Sequence, residues 1–300
     1  MPDYPIIEHD VLVIGSGGAG LRAAIEASAA GVSVGMVCKC LLGKAHTVMA
    51  EGGIAAALAN VDERDSWRVH FADTMRGGQY VNNWRMAELH AREAPDRVRE
   101  LEAWGAVFDR TQDGRILQRN FGGHRYPRLA HVGDRTGLEM IRTLQDHGVH
   151  RGIDVHMEVC VLALLKDGER VVGVFGYDRE RGQFKVFHAK AVVLATGGVG
   201  KAYKITSNSW DCTGDGHALA YHAGAALIDV GQRRRDPALG HDGVRLAEQT
   251  FANHADRDAR GGSLDRRAQA RAAGADDQHV VFDYRVVGHG GGVEAWRRES

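Results

Sequence analysis

The chain has 300 residues, of which 44% are hydrophobic and 26% charged, and its formal net charge at pH 7 is −1. This composition is that of a globular protein with one large domain or two smaller ones. The near-zero charge argues against nucleic acid or an anionic membrane surface as a partner. No apolar run reaches the roughly 18 residues of a membrane helix, and residues 1–9 lack a signal-peptide pattern. We therefore expect a cytoplasmic chain that does not insert into a membrane itself.

The start of the chain predicts a βαβ unit that binds a dinucleotide. An apolar strand at 10–14 leads into a glycine-rich turn, a helix over 18–30 and a second strand at 32–37. In such a turn the first glycine permits the bend, the second admits a pyrophosphate, and the third lets helix and strand pack closely. The amides and dipole at the helix start then hold the phosphates. The residues of this turn are Gly15, Ser16, Gly17, Gly18, Ala19 and Gly20.

The second strand does not end in the acidic residue that would hold the ribose of a dinucleotide. Cys38 and Lys39 stand there instead, which argues against a generic NAD-binding protein. The segment 44–53, KAHTVMAEGG, follows and places a single histidine, His46, in a loop. We expect a short apolar helix over 52–58, whose first glycines let the backbone approach a ligand.

The middle of the chain predicts three further helices. Periodicity of the apolar residues predicts helices over 65–75, 84–104 and 136–146, the last with Asp134 as its N-terminal cap. The NFGG segment at 120–123 predicts a turn with an unusual backbone conformation.

The pattern then changes to short alternating runs. Runs at 155–165, 171–177 and 183–188 predict a β-meander, and the run at 191–194 predicts one more strand. A turn of small residues follows that strand and can approach a cofactor closely. Its first three residues are Ala195, Thr196 and Gly197.

A helix predicted over 213–223 ends the regular part of the sequence. It opens with TGDG, and Asp215 is placed to cap it. From 231 to 300 the composition changes, because arginine is abundant, large apolar residues are sparse, and lysine, isoleucine and methionine are absent. Such a segment buries little surface, so we expect an irregular or disordered tail.

The four cysteines, Cys38, Cys40, Cys160 and Cys212, form neither a CxxC pair nor a ligand cluster with histidine. We therefore predict reduced thiols, as in a cytosolic protein. No metal site is predicted from the sequence.

Six segments, in this order, resemble the flavoprotein subunit of succinate dehydrogenase and fumarate reductase: GSGGAG, GKAHTVMAEGGI, DGRILQRNFGG, DRTG, VLATGG and TGDG. The resemblance covers residues 8–230. It implies an α/β fold, namely a Rossmann-like FAD-binding domain with an inserted β-meander. This domain is incomplete relative to the family. It also implies hydride transfer between succinate or fumarate and FAD, with electrons passed to a quinone by way of an iron–sulfur subunit.

The resemblance also assigns residues to the cofactor. His46 matches the histidine that bonds covalently to the flavin ring, and Lys39 fits the lysine that ends the second strand in that family. Asp215 matches a residue that accepts from a ribose hydroxyl, which leaves this role open beside the cap. Glu51 stands where the family usually has glutamine, near the reactive edge of the flavin. The other residues expected at FAD are those of the first turn together with Cys38, Thr47, Gly52, Gly53, Ala195, Thr196 and Gly197.

The substrate side is less complete. Phe121 and Gly122 match a family segment beside the small dicarboxylate substrate, although an aromatic packed at a glycine turn explains them equally well. The His-Pro-Thr-Gly motif, whose histidine holds a substrate carboxylate, is absent around Asp236. The family's proton-transfer arginine is not recognisable either, so we assign no catalytic residue.

These departures set the expected organisation. We expect an FAD-binding domain over 1–230 and a divergent tail over 231–300 in place of the family's capping domain. The lost motif and the abrupt change of composition are consistent with a shifted reading frame. The resemblance further implies membrane anchor subunits that would hold the chain on the inner face of the cell membrane.

Two other functions remain open from the sequence. L-Aspartate oxidase shares the fold but holds FAD non-covalently and has a small or hydroxyl residue at the position of His46. A truncated, non-catalytic FAD-binding remnant is favoured by the missing motifs. The sequence does not distinguish succinate oxidation from fumarate reduction and does not identify the quinone.

Overall fold

The computed structural model describes residues 4–227, so the predicted tail at 231–300 lies outside the described residues. The strands are β1 (Ile6–Ile14), β2 (Val34–Val37), β3 (Ile54–Ala55), β4 (Gln118–Arg119), β5 (Leu129–Ala130), β6 (Asp154–His156), β7 (Val159–Asp167), β8 (Arg170–Asp178) and β9 (Gln183–Leu194). The helices are α1 (Gly18–Ala29), α2 (Trp67–Gly77), α3 (Trp84–Ala103), α4 (Thr136–His150) and α5 (Asp215–His222). None of the helices described here is long and apolar enough to cross a membrane.

A six-stranded mixed sheet has the order β6-β2-β1-β9-β8-β7. The four strands β6, β2, β1 and β9 run parallel to their neighbours, whereas β9, β8 and β7 form an antiparallel meander. A second, small antiparallel sheet has the order β3-β5-β4. The parallel half with α1 between β1 and β2 confirms the predicted α/β fold, and β7–β9 confirm the predicted meander.

Strand β9 joins the two halves of the large sheet. Its first half pairs antiparallel with β8, and its register with β1 continues in parallel as far as Ile14 opposite Leu194. We predicted two strands here, 183–188 and 191–194, but they form one. The polar residues between the two apolar runs do not interrupt the pairing with β1, because successive side chains of a strand point to opposite faces.

The carboxyl-terminal end of strand β1 is buried on both faces. Leu12 and Val13 are each 0% exposed, yet they belong to different clusters of apolar side chains. Val13 packs in the cluster that contains Leu21 and Ile25 of α1, and Leu12 packs with Phe187 of β9. Full burial of such a side chain stabilises the fold by about 1.5–3 kcal/mol. The central strand is therefore fixed from both sides, which places its carboxyl end accurately.

Two predicted elements differ in the structure. The strand predicted at 155–165 is split into β6 and β7 by Glu158, whose φ of 56° turns the chain from β2 towards β8. The helix predicted at 52–58 is wrong, because Gly53 has a φ of 117° and the chain continues as β3. The amide of Ala56 then donates to the carbonyl of Arg128, 2.9 Å away, so this segment pairs as a strand.

A buried ionic network connects α2 to the residues before β5. The guanidinium of Arg128 is 0% exposed and binds both carboxylate oxygens of Asp65, with N···O distances of 2.7 and 3.2 Å. Its Nη2 also lies 3.0 Å from the carboxylate of Asp73. A buried charge is costly unless it is paired, so the arginine and the two aspartates depend on one another.

We predict that Asp65→Asn lowers the free energy of unfolding by about 3 kcal/mol, because the buried charge of Arg128 loses its main partner. Urea denaturation of the whole chain measures the change. The control is Asp96→Asn, which removes an exposed pair with Arg99 and should change the stability by less than about 1 kcal/mol. Equal effects of the two substitutions would contradict the role given to the network.

Candidate functional site

Two glycine turns meet at the carboxyl ends of the parallel strands β1 and β9. Gly15 follows β1 with a φ of 107°, and a Cβ built on it would lie only 2.2 Å from the carbonyl oxygen of Ala195. The amide of Ala195 donates to the carbonyl of Ile14 over 2.8 Å. The first turn therefore has no room for a side chain at Gly15, and the two turns form one continuous backbone surface.

The start of α1 lies directly on this surface. A Cβ on Gly20 would lie 1.9 Å from the carbonyl oxygen of Gly15, so only glycine lets the helix pack this closely on the strand end. Gly17 occupies the N-cap position without a capping side chain, and the first turn carries no acidic residue. The amide of Gly18 donates to the hydroxyl of Thr47, 3.2 Å away. The other amides at the start of this 12-residue helix have no side-chain cap from the N-cap residue and no acidic neighbour in the first turn, so they are suited to binding an anion.

The loop that contains His46 is held against the start of α4. His46 begins a short 3₁₀ turn, His46–Met49. A Cβ on Gly137 would lie 1.9 Å from the carbonyl oxygen of Thr47, and the amide of Gly137 donates to Ala50 over 2.8 Å. The glycine of the DRTG segment is thus what allows α4 to support this loop.

The ring of His46 is oriented by the backbone of a later segment. The amide of Ser209 donates to Nδ1 of His46 over 3.1 Å. Because Nδ1 acts as the acceptor, the neutral ring carries its proton on Nε2. Sequence reasoning did not include Ser209, which lies in a stretch without a motif.

An ion pair joins the end of β2 to the start of α5. Nζ of Lys39 lies 2.6 Å from the carboxylate of Asp215 and 2.6 Å from the hydroxyl of Thr213. Burial alone would raise the pKa of Asp215, but hydrogen bonds from Lys39 and Thr213 and the charge of Lys39 hold it below its usual value. Lys39 stands where a dinucleotide-binding strand usually ends in an acidic residue. It is thus paired with an acidic residue from another segment, Asp215.

Asp215 does not cap α5, so that prediction was wrong. The N-cap residue is Gly214, whose φ of 80° suits glycine, and Asp215 is the first residue of the helix. A Cβ on Gly216 would lie 1.9 Å from the hydroxyl of Thr196, and the amide of Gly214 donates to Gly198 over 3.1 Å. The TGDG segment is therefore packed on the turn that follows β9.

The segment after the His46 loop meets the NFGG turn. A Cβ on Gly52 would lie 3.4 Å from the ring of Phe121, which places Phe121 beside this glycine. Arg119 donates to the carbonyl of Gly52 over 2.8 Å and also to the carbonyl of Glu51. Its other contact is the carboxylate of Asp134, 3.0 Å away. Sequence reasoning missed Arg119, and the signal that could have found it is its place directly before the NFGG turn.

The contact of Asp134 with Arg119 corrects another prediction. We expected Asp134 to cap α4, but the N-cap residue is Arg135, and it has no side-chain cap. The exposed carboxylate of Asp134 is used by the guanidinium of Arg119 instead. The aspartate therefore supports the segment at residues 51 and 52 rather than the helix.

The residues brought together fit an FAD molecule. The start of α1 offers amides for phosphates, the packed glycines leave a surface without side chains, and Asp215 offers a carboxylate for hydroxyl groups. Ser16 and Cys38 are buried beneath this surface, and burial raises the pKa of the Cys38 thiol, which keeps it uncharged. Gly122 and Gly197 are exposed.

The family model described as "FAD binding domain" matches residues 10–234 of this chain. A fumarate reductase (CoM/CoB) subunit of Methanothermobacter marburgensis is 46% identical over 233 residues, which are 77% of this chain and 43% of that protein. The mitochondrial succinate dehydrogenase [ubiquinone] flavoprotein subunit of Oryza sativa subsp. japonica is 40% identical over 238 residues, covering 76% of this chain and 38% of the rice protein.

A solved structure shows the same fold at higher identity. Sdh1 of Mycobacterium smegmatis, solved in complex with UQ1, superimposes with a TM-score of 0.71 and is 61% identical. The alignment covers 73% of this chain and 39% of that one. The chain thus spans about two fifths of the length of the relatives it matches.

We predict that Gly15→Ala destabilises the chain more than Gly31→Ala, although both residues have a positive φ. At Gly31 a Cβ meets nothing within 4 Å, so only the backbone conformation is strained, at a cost of about 1–2 kcal/mol. At Gly15 the clash with Ala195 adds at least about 1 kcal/mol. Thermal unfolding of the two variants measures the difference, and equal melting temperatures would show that the turns are not in contact.

Proposed function

We propose that this chain, which belongs to the FAD binding domain family, is the FAD-binding part of a flavoprotein subunit. The subunit would be of the succinate dehydrogenase and fumarate reductase type. The observation that carries the proposal is the meeting of the two glycine turns with the His46 loop at one edge of the parallel strands. The names of the relatives support the reaction class, which is hydride transfer between succinate or fumarate and the flavin.

The residues of this chain have distinct tasks in binding. The amides at the start of α1 hold the pyrophosphate of FAD, and Gly17 lets the phosphates approach the backbone. Asp215 accepts from a ribose hydroxyl while Lys39 and Thr213 hold its carboxylate ionised and fixed in direction. When bound, FAD supplies the hydride-accepting chemistry, and the protein supplies binding, orientation and electrostatics.

His46 is the residue to which the flavin ring is covalently attached. The proposal is supported by the fixed ring, whose Nδ1 accepts from Ser209, and by the packing of its loop against Gly137 of α4. A fixed imidazole can be presented in one orientation without further loss of conformational freedom. Attachment would raise the reduction potential of the flavin and make it a better oxidant for a saturated dicarboxylate.

We assign Phe121, Gly122 and Glu51 to the substrate side of the flavin on the strength of the family resemblance. Phe121 packs beside Gly52, and the Glu51 backbone is held by Arg119. These groups can shape a small pocket and exclude water from it. No residue of the described part is assigned as proton donor or acceptor for the substrate.

The partners follow from the same family role. We propose that electrons leave the flavin through an iron–sulfur subunit to a quinone, and that anchor subunits hold the assembly on the inner face of the cell membrane. Structures named as quinol fumarate reductase and as Sdh1 with UQ1 support a quinone as the redox partner. A soluble relative such as L-aspartate oxidase, or a non-catalytic FAD-binding remnant, would use the same fold without these partners.

We predict that His46→Ser abolishes covalent flavin. The unaltered chain should carry the added mass of one FAD, and flavin fluorescence should remain on the protein after denaturation in SDS. The control His222→Ser changes an exposed histidine at the end of α5 and should leave both signals unchanged. Retention of the fluorescence in His46→Ser would contradict attachment at this residue.

Turnover of a dicarboxylate tests the activity separately. Succinate oxidation with a dye acceptor, measured on the flavin-loaded chain, distinguishes an enzyme from a remnant. Turnover would show that this chain is an enzyme by itself, whereas flavin bound without turnover would support the remnant.

We predict that Asp215→Asn weakens the binding of FAD by about 10- to 100-fold, because a hydrogen bond to a charged carboxylate contributes about 1.5–3 kcal/mol. The measurement is a fluorescence titration in the His46→Ser background, where binding is reversible. Asp211→Asn changes a nearby carboxylate that contacts Cys40 and is a matched control expected to bind FAD normally. An unchanged affinity in Asp215→Asn would remove Asp215 from the site.

A further inference from the structure

A second cluster of polar side chains lies on the parallel strands near β6, the edge strand of the sheet. It consists of His9 on β1 and of Asp154 and His156 on β6. Nε2 of His9 lies 3.4 Å from the carboxylate oxygen Oδ2 of Asp154, and Nε2 of His156 lies 3.1 Å from the same oxygen. One ligand atom from each of the three residues lies within 4.8 Å of the others. Two strands that are not neighbours in the sheet thus contribute to one cluster.

A glycine in the strand between them makes this convergence possible. Strand β2 separates β1 from β6, and Gly35 of β2 pairs with Asp154. A Cβ on Gly35 would lie 2.2 Å from Cδ2 and 2.5 Å from Nε2 of His9. The ring of His9 therefore crosses over β2 at a position where no side chain stands in its way. Any other residue at this position would displace the ring from Asp154.

The contacts with Asp154 do not have the geometry of hydrogen bonds. Nε2 of His9 and Nε2 of His156 are buried atoms without a hydrogen-bond partner, even though the carboxylate oxygen is close to both. The side chain of His9 is only 9% exposed, so water does not readily satisfy it. A hydrogen bond requires the N–H to point along the line to the acceptor, whereas a metal ion requires lone pairs that converge on a common point.

We propose that His9, Asp154 and His156 bind one divalent transition-metal ion of the zinc class. Ligand atoms about 2.0–2.1 Å from a tetrahedral zinc ion lie roughly 3.3 Å from one another, which matches the separations of 3.1 and 3.4 Å. Two imidazoles and one carboxylate are donors that zinc accepts, and water completes the fourth position. Asp154 is 55% exposed and leaves a path from solvent to the ion.

The charge state of the cluster suits a cation. Asp154 adds one carboxylate to the two imidazoles. The nearby cation Lys185 is paired with Asp178 over 2.6 Å, which offsets its charge. The ion would connect β1 to β6 across β2 and so hold the edge strand in place.

A second histidine cluster in the described residues lacks these properties. The rings of His70, His90 and His124 pack within 5.9 Å of one another in pairs that share His70. Burial, together with the charge of Arg128, lowers the pKa of His70 to about 3 and that of His124 to about 4. The guanidinium that disfavours protonation there would repel a metal ion as well. Within residues 4–227, these rings do not form a ligand set with a carboxylate.

Zinc binding to the whole chain, with any affinity tag removed, tests the proposal. Equilibrium dialysis should give one Zn²⁺ per chain, and Zn²⁺ should raise the melting temperature relative to protein treated with EDTA. Asp154→Asn keeps the shape of an exposed side chain and should weaken Zn²⁺ binding at least about tenfold and remove the thermal shift. The matched control His150→Asn removes a surface histidine that lies 3.6 Å from Asp146, and it should bind Zn²⁺ normally.

Two further observations keep the test decisive. Co²⁺ in place of zinc should give a tetrahedral spectrum without thiolate charge-transfer absorption, because the four free cysteines are not ligands. His156→Gln should weaken Zn²⁺ binding like Asp154→Asn. No bound zinc, equal zinc in the unaltered chain and both variants, or a thiolate signal with Co²⁺ would each overturn the proposal.

Discussion

The close approach of two backbone turns without side chains is the constraint on which the rest of the site depends. The carbonyl oxygen of Ala195 occupies the space that a Cβ on Gly15 would need, and the carbonyl oxygen of Gly15 does the same for Gly20. These contacts fix the end of β1, the end of β9 and the start of α1 relative to one another. Because the end of β1 is buried on both faces, the assembly cannot shift as a unit without disrupting two layers of apolar side chains.

The same kind of contact recurs wherever a segment reaches this surface. Gly137 lets α4 support the His46 loop, and Gly216 lets α5 pack on Thr196. A charged pair adds a further connection, because Lys39 and Asp215 join the ends of two elements that are far apart in the sequence. The proposed metal site extends this pattern to the edge of the sheet, where Gly35 admits the ring of His9.

Much of this could be predicted from the sequence, because local patterns encode local structure. The glycine spacing at 15–20 and the alternating runs after residue 155 predicted the βαβ unit and the meander correctly. The helix predicted at 52–58 was wrong because an apolar run of that length suits a helix or a strand equally, and only the partner strand decides. Asp215 was misplaced as a cap because its partner, Lys39, lies in a distant segment. The cluster of His9, Asp154 and His156 was missed for the same reason, since its residues meet only in the folded sheet.

The described residues are proposed to form a site for a whole dinucleotide rather than for a flavin ring alone. The most direct test is a titration of the flavin-free His46→Ser chain with FAD and with FMN, monitored by flavin fluorescence. ADP is then added to displace bound FAD. We expect one FAD per chain, bound at least about 100-fold more tightly than FMN, with displacement by ADP, because the start of α1 and Asp215 contact the pyrophosphate and ribose. Equal affinity for FAD and FMN, or no displacement by ADP, would contradict this central claim.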